Sequence, residues 1–391
     1  MMKSNIPRRN FLKIAGLAGI GLTLLPSWLR SMNKSGFTPP DPTATNIADA
    51  LKYPRNEISM PGKFPGKAVQ VTHANSVTED KPDEQAAYGM LSAAMLALTG
   101  ASSIAEAWGQ FVAPSDRIGL KVNPVAGPDL STSPAVVKAV IRQLQEAGIP
   151  NEQILIWDRR EFQLTEAGFT SENFPGIQII GTEYMDADGS FKDAEGNFLS
   201  WKRVDKDWYY WADCEEEYDE ESLPYMVNTG KYSYFSAICT QMVDKIINIP
   251  ILKNAGNSVT LCMKNLAYGA ITNTGRLHKT LWSETSAEVC AFPPLRDKVV
   301  LNIVDGIKGC FQGGPGANPQ FFTFYNTLIV GSDPVAVDRV GYELVLKKRL
   351  AEGVQKEETP KGKRFMELAR DLKLGVSDLE KIEWTKINLP G

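Results

Sequence analysis

The stretch "RIGLKVNPVAGPDLSTSPAVVKAVIRQLQEAGIPNEQILIWD", Arg117–Asp158, decides the fold class. Its first segment, "RIGLKVNP", is a short apolar run that ends in polar Lys121 and Asn123, the pattern of a buried strand. "TSPAVVKAVIRQLQEAG" then has the marks of a helix. Thr132 or Ser133 offers a capping hydroxyl, Pro134 suits the first turn and Gly148 ends it. "QILIWD" returns to strand character, and "GIQIIG" supplies another strand soon after. Strand, helix and strand in succession predict an α/β layered domain with a largely parallel or mixed sheet flanked by helices.

The same rhythm resumes further along the chain. "KIINIPILK" reads as a strand ending at Lys253, and "VVLNIVDG" as a strand closed by Asp305 and Gly306. "TLIVGSDPVAVDRVGYELVLKK" reads as a strand, a turn at 332–334 and a helix, and the last forty residues as helices closing one flank. The α/β domain is expected over residues 67–391, with an inserted subdomain or hairpin at about 184–235, where "DADGSF", "AEGNF" and the aromatics Trp201, Trp208, Tyr209, Tyr210 and Trp211 break the pattern. Residues 31–66 are rich in Pro and Gly and read as a tether.

Composition narrows the function classes. A 391-residue chain with net charge −4 carries no basic stripe of the kind nucleic-acid binding leaves. The acidic run "CEEEYDEES", Cys214–Ser222, lacks the glycine-punctuated spacing of a calcium loop and reads as surface. Five cysteines are scattered with no C-x-x-C pair, so no cysteine-ligated iron–sulfur cluster is expected. With only His73 and His278, a metal would lean on carboxylates and amides, which favours a hard divalent ion; an organic cofactor stays equally open.

Residues 1–30 have the layout of a signal peptide. Arg8 and Arg9 precede Phe11, Leu12 and Lys13, and an apolar run follows from Ile14 to Leu25, too short to span a bilayer permanently. Paired arginines before Phe-Leu-Lys resemble the twin-arginine export signal, although Pro7 stands where Ser or Thr is usual. The resemblance implies passage through the twin-arginine machinery to the periplasm.

In open α/β sheets ligands bind beyond the carboxyl ends of the strands, so the polar groups there gain weight: Lys121 and Asn123, Asp158, Lys253 and Asn254, and Asp305. "TLCMKNLAYGAI", Thr260–Ile271, reads as a buried helix carrying Lys264 and Asn265. Val259, Cys262, Met263 and Leu266 would face the core, while Asn257, Thr260 and Lys264 form a neighbouring stripe. Asn257 or Ser258 could cap this helix, whose free amides favour an anion. Asp305 and Asp338 admit two readings, ligands of a hard cation or structural partners of the lysines.

Together "KIINIPILKN", "TLCMKNLAYGAI", "GRLH", "IVDGIKGCFQGGPG" and "SDPVAVDRVGYE" resemble the family called domain of unknown function 362, over roughly residues 66–350. Members commonly carry Thr-His after the first lysine, where this chain has Asn254 and Ala255; the ferredoxin-type cysteines that some append are missing too. The expected catalytic set is Lys264, His278, Lys253 and Asp305, with Lys121, Asn123, Asn257, Thr260 and Asn265 holding ligand or cofactor. The expected substrate is a small anionic molecule. The rival expectation is a periplasmic binding or carrier protein with the same cleft and no turnover.

Overall fold

The computed structural model describes residues 42–390 except 219, 221, 222 and 257. The signal-like segment, the tether up to residue 41 and Asn257 therefore lie outside the described residues.

One sheet of eleven strands organises the fold. Its main members are β1 Lys67–His73, β2 Ile118–Lys121, β3 Ile154–Arg160, β4 Gln178–Glu183, β5 Lys245–Asn248, β6 Ile251–Ala255, β7 Ser258–Thr260, β8 Val299–Cys310, β9 Thr327–Gly331 and β10 Glu383–Leu389. The order across the sheet is β10-β1-β9-β8-β5-β2-β3-β4, with β6 paired to the far half of β8 and β7 folded back on β6. Strands β8, β5, β2, β3 and β4 run parallel, whereas β9 is antiparallel to both its neighbours, so the sheet is mixed.

Strand periodicity divides the core between two faces. Ile154 and Ile156 of β3 enter one apolar cluster, with α1 Glu84–Thr99 and α2 Pro134–Glu146, while Leu155 and Trp157 enter the other. That second cluster holds α3 Cys262–Ala270, α5 Trp282–Glu288, α6 Pro334–Ala351 and α7 Pro360–Asp371, with the short α4 Gly275–Thr280 between α3 and α5. Ser133 caps α2 by accepting from the Ala135 amide, and Pro134 opens the helix; Thr132 instead donates to the Ile249 carbonyl at 2.6 Å.

Several expectations are revised. "KIINIPILK" is two strands, because Pro250 cannot donate to the ladder and the chain steps between β5 and β6. β8 continues through Asp305 and Gly306 to Cys310, which puts Asp305 in mid-strand. Val259 and Thr260 belong to β7, so α3 begins only at Cys262. The last forty residues include one α-helix, a single 3-10 turn at Leu379–Lys381 and then β10, whose seven residues all pair with β1. The Pro/Gly-rich stretch is not a free tether from residue 43 on: Ala50 and Met60 are fully buried, and Met60 donates to the Arg296 carbonyl at 2.8 Å. Within residues 184–235, Val204–Trp211 pairs antiparallel with the strand Tyr232–Ser236 as a separate ribbon.

Candidate functional site

α3 lies across the ends of β2 and β3, and Gly269 permits the approach. A Cβ there would overlap Lys121 Cε and Nζ and crowd Asp158. Lys121, fully buried, forms an ion pair with Asp158 and donates to the Val122 carbonyl at 2.8 Å and to Asn265 Oδ1 at 3.2 Å. This lysine is balanced by a carboxylate, as buried charge requires.

Buried amides continue the network. Asn123 donates to Asn265 Oδ1 at 2.9 Å, and Asn265 donates to Asn248 Oδ1 at 2.8 Å. Asn248 in turn donates to Asn302 Oδ1 at 2.9 Å, and Asn302 to the Ser332 carbonyl at 3.2 Å. Four strand or strand-end positions and α3 are thereby locked in one register. An amide can accept and donate at once, so each link leaves no orphaned group at the strand ends.

Lys253 joins this chain by donating to Asn123 Oδ1 at 2.8 Å, its one hydrogen bond among the described residues. Burial, and then the nearby Lys264 ammonium, push its pKa from 10.5 down to about 7. Lys264 sits in the third position of α3, is 6% exposed, and has neither a hydrogen bond nor an ion pair among the described residues. Its ammonium rests 5.0 Å from the Tyr268 ring centre and 5.7 Å from that of Trp282. Burial, with Arg159 adding repulsion, lowers its pKa to about 8. Thr260 is the cross-strand partner of Lys253, and its hydroxyl is buried with no hydrogen-bond partner among the described residues.

His278 lies on the same side, its ring 4.5 Å from that of Tyr268 and its Nδ1 2.9 Å from the Thr274 carbonyl. The residue as a whole is exposed, so solvent moderates its electrostatics. The packed side of the ring and the Lys264 charge both pull its pKa downward, which favours the neutral form. Arg159 donates to Thr274 Oγ1 and pairs with Glu183 at 3.7 Å, tying the loop after α3 to the edge of the sheet.

Lys121, Asn123, Lys253, Thr260, Lys264, Asn265 and His278 are thus brought together, and Asn257 lies outside the described residues. Asp305 is not among them. Its carboxylate accepts from the Ser133 and Ile307 amides at 2.8 and 3.1 Å, near the start of α2, and burial raises its pKa to about 6. Asp338 likewise meets no lysine. It accepts from the Cys262 and Met263 amides at 2.6 and 3.0 Å and so caps α3 from α6, occupying amides expected to attract an anion. Asn254 donates to the Gly256 and Ser258 carbonyls at 2.8 and 3.0 Å, closing the β6–β7 hairpin. Gly314 abuts the Asn254 carbonyl, leaving no room for a Cβ.

Sequence reasoning missed Asn248 and Asn302, whose signal was an amide inside each of the apolar runs "KIINIPILK" and "VVLNIVDG". Arg159, Tyr268, Trp282 and Gly269 carry no comparable mark. No group of three or more His, Cys, Asp or Glu side chains among the described residues is arranged to hold a metal ion. An open concavity of about 750 Å³ lies on the insertion, lined by Phe191, Lys192, Phe198, Trp201 and Met226 among others, and Lys121, Lys253 and Lys264 do not line it.

Residues 213–343 match the family described as domain of unknown function 362. The matched segment contains Lys253, Lys264, His278, Asp305 and Asp338, and leaves Lys121, Asn123 and Asp158 outside it. Comparison with curated proteins returned no match.

Proposed function

We propose that the protein is an exported enzyme that binds a small carboxylate- or phosphate-bearing molecule at Lys253 and Lys264. One contrast carries this reading: Lys121 is paired with Asp158, whereas Lys253 and Lys264 have no carboxylate partner among the described residues. Burying unpaired ammonium groups destabilises the empty protein, and an incoming anion would relieve both at once. A lysine that sheds its proton near neutral pH also suits proton transfer, which favours turnover over simple carriage.

Thermal unfolding with a panel of small mono- and dicarboxylates and inorganic phosphate tests the proposal at pH 7. At least one should stabilise the wild-type protein and have no effect on Lys264→Met. Equal shifts in both proteins would remove the anion site. Export rests on Arg8 and Arg9, and replacing both with Lys should retain the protein in the cytoplasm. Undiminished export would remove the twin-arginine route. No described helix is long and apolar enough to cross a membrane.

A further inference from the structure

We propose that Lys253 is an imine-forming lysine, and that the anion bound beside it is a small 2-oxo acid whose carboxylate is held by Lys264. The inference rests on the anion-site reading above and adds a covalent step to it.

The arrangement of groups supports this chemistry. Lys253 sits on a rigid sheet strand, and its amine is fully buried and held by a neutral amide, Asn123 Oδ1 at 2.8 Å. A carboxylate partner would keep the amine protonated; an amide leaves it free to act as a nucleophile. A second cation, Lys264, stands on the next helix, close enough to depress the first lysine's proton affinity. Desolvation together with a neighbouring cation is a general means of making a lysine amine nucleophilic near neutral pH. Thr260, cross-strand from Lys253, contributes a buried hydroxyl with no partner among the described residues, able to hydrogen-bond a carbonyl or carbinolamine oxygen. By contrast Lys121 is equally buried but is fixed by Asp158, Asn265 and the Val122 carbonyl, which excludes it from the same role.

The step balances without a co-reactant. The unprotonated Lys253 nitrogen attacks the keto carbon and the C–N bond forms, giving a carbinolamine. The carbonyl oxygen then leaves as water with the two hydrogens the amine gives up, and the C=N bond remains. A 2-oxo acid fits because it places a carboxylate one bond from the reacting carbon, matching two cations carried on consecutive elements.

The test incubates the full chain at pH 7 with pyruvate, oxaloacetate or 2-oxoglutarate and sodium cyanoborohydride, followed by intact mass and peptide mapping. A reduced adduct is expected on Lys253, preferred over surface lysines by on the order of a hundredfold, since the unprotonated fraction at pH 7 rises steeply as a lysine pKa falls toward neutrality. Lys253→Met should lose it, and Lys264→Met should slow it. Mapping the wild-type adduct keeps the test valid if Lys253→Met fails to fold. Absence of an adduct on Lys253, or one spread over surface lysines, overturns the proposal. The corresponding 2-hydroxy acids, which have no keto group, separate the two readings. If they stabilise the protein while no oxo acid labels Lys253, the anion site stands and the imine does not; if neither binds, both readings fail.

Discussion

At the scale of the residue, Lys253 and Lys264 differ from buried Lys121 in having no carboxylate beside them among the described residues, and this makes their contributions separable. Lys264→Met should leave the melting temperature unchanged or raise it, because the methionine keeps the apolar stem and removes a desolvated charge. Loss of several kcal/mol in urea unfolding would show that a partner holds the ammonium after all. Asp305→Asn should act independently of it, weakening the Ser133 and Ile307 contacts by about 1–3 kcal/mol, and the double variant should be additive. Lys253 also predicts a pH dependence. Its pKa is depressed in the folded protein, so from pH 7 upward the unfolded chain holds a proton that the folded chain has shed, and stability rises with pH by about 2–3 kcal/mol between pH 7 and 9. Lys264 and Lys121, both depressed by burial in the same direction, add to this slope. The Cys239, Cys262, Cys290 and Cys310 thiols, all raised by burial, oppose this rise from about pH 8 upward, where the unfolded thiols begin to ionise, so the lysine contribution is read as the difference between the wild type and Lys253→Met. Denaturant unfolding across that range should show the rise in the wild type and a flatter profile in Lys253→Met.

At the scale of the element, the site depends on α3 being pressed against the strand ends, and two features at opposite ends of the helix hold it there. Asp338 satisfies its first amides from α6, while Gly269 near its last turn lets the Lys121–Asp158 pair fit beneath it. Gly269→Ala should destabilise the fold by about 1–3 kcal/mol, because the added methyl must displace a buried ion pair with no solvent to receive it. Calorimetry would check this; an unchanged melting temperature would mean that α3 can shift away from the sheet. The sequence made α3 visible through its apolar spacing and its lysine, but not where it begins. Thr260 and Val259 fit a helical stripe and a strand equally well, and only the pairing of Lys253 with Thr260 decides for the strand. Asp305 and Asp338 were readable as charges that need partners. That the partners would be backbone amides rather than lysines was set by tertiary packing, which a one-dimensional pattern does not carry.

At the scale of the whole molecule, the parallel half of the sheet was legible from strand–helix–strand alternation and β9 from the run "TLIVG", while the outer pair β1 and β10 was not. β9, β1 and β10 come from distant parts of the chain, and β10, "EWTKINL", has no clean alternation: Trp384 packs against one core cluster and Ile387 and Leu389 against the other, while Lys386 and Asn388 are exposed. It nevertheless closes the sheet: Lys67–His73 pairs in parallel with Glu383–Leu389 along all seven residues, and Trp384 Nε1 donates to Gln70 Oε1 at 3.1 Å. Without β10 the flank of β1 would become an unpaired edge carrying buried Val69 and Val71 next to exposed backbone. Deleting residues 383–391 should therefore lower the melting temperature and promote concentration-dependent association, whereas Trp384→Phe, which keeps the strand and loses one side-chain bond, should cost no more than about 1 kcal/mol. The lysine site lies at the ends of β2 and β3 and on β6, several strands away from β10, so the folded fraction of the truncated chain should bind the stabilising anion as the full chain does. Sedimentation velocity combined with thermal shift separates the two effects. A monomeric, equally stable truncated chain would show that β1 needs no cover, and a stable chain that no longer binds the anion would show that the sheet transmits its edge pairing to the site.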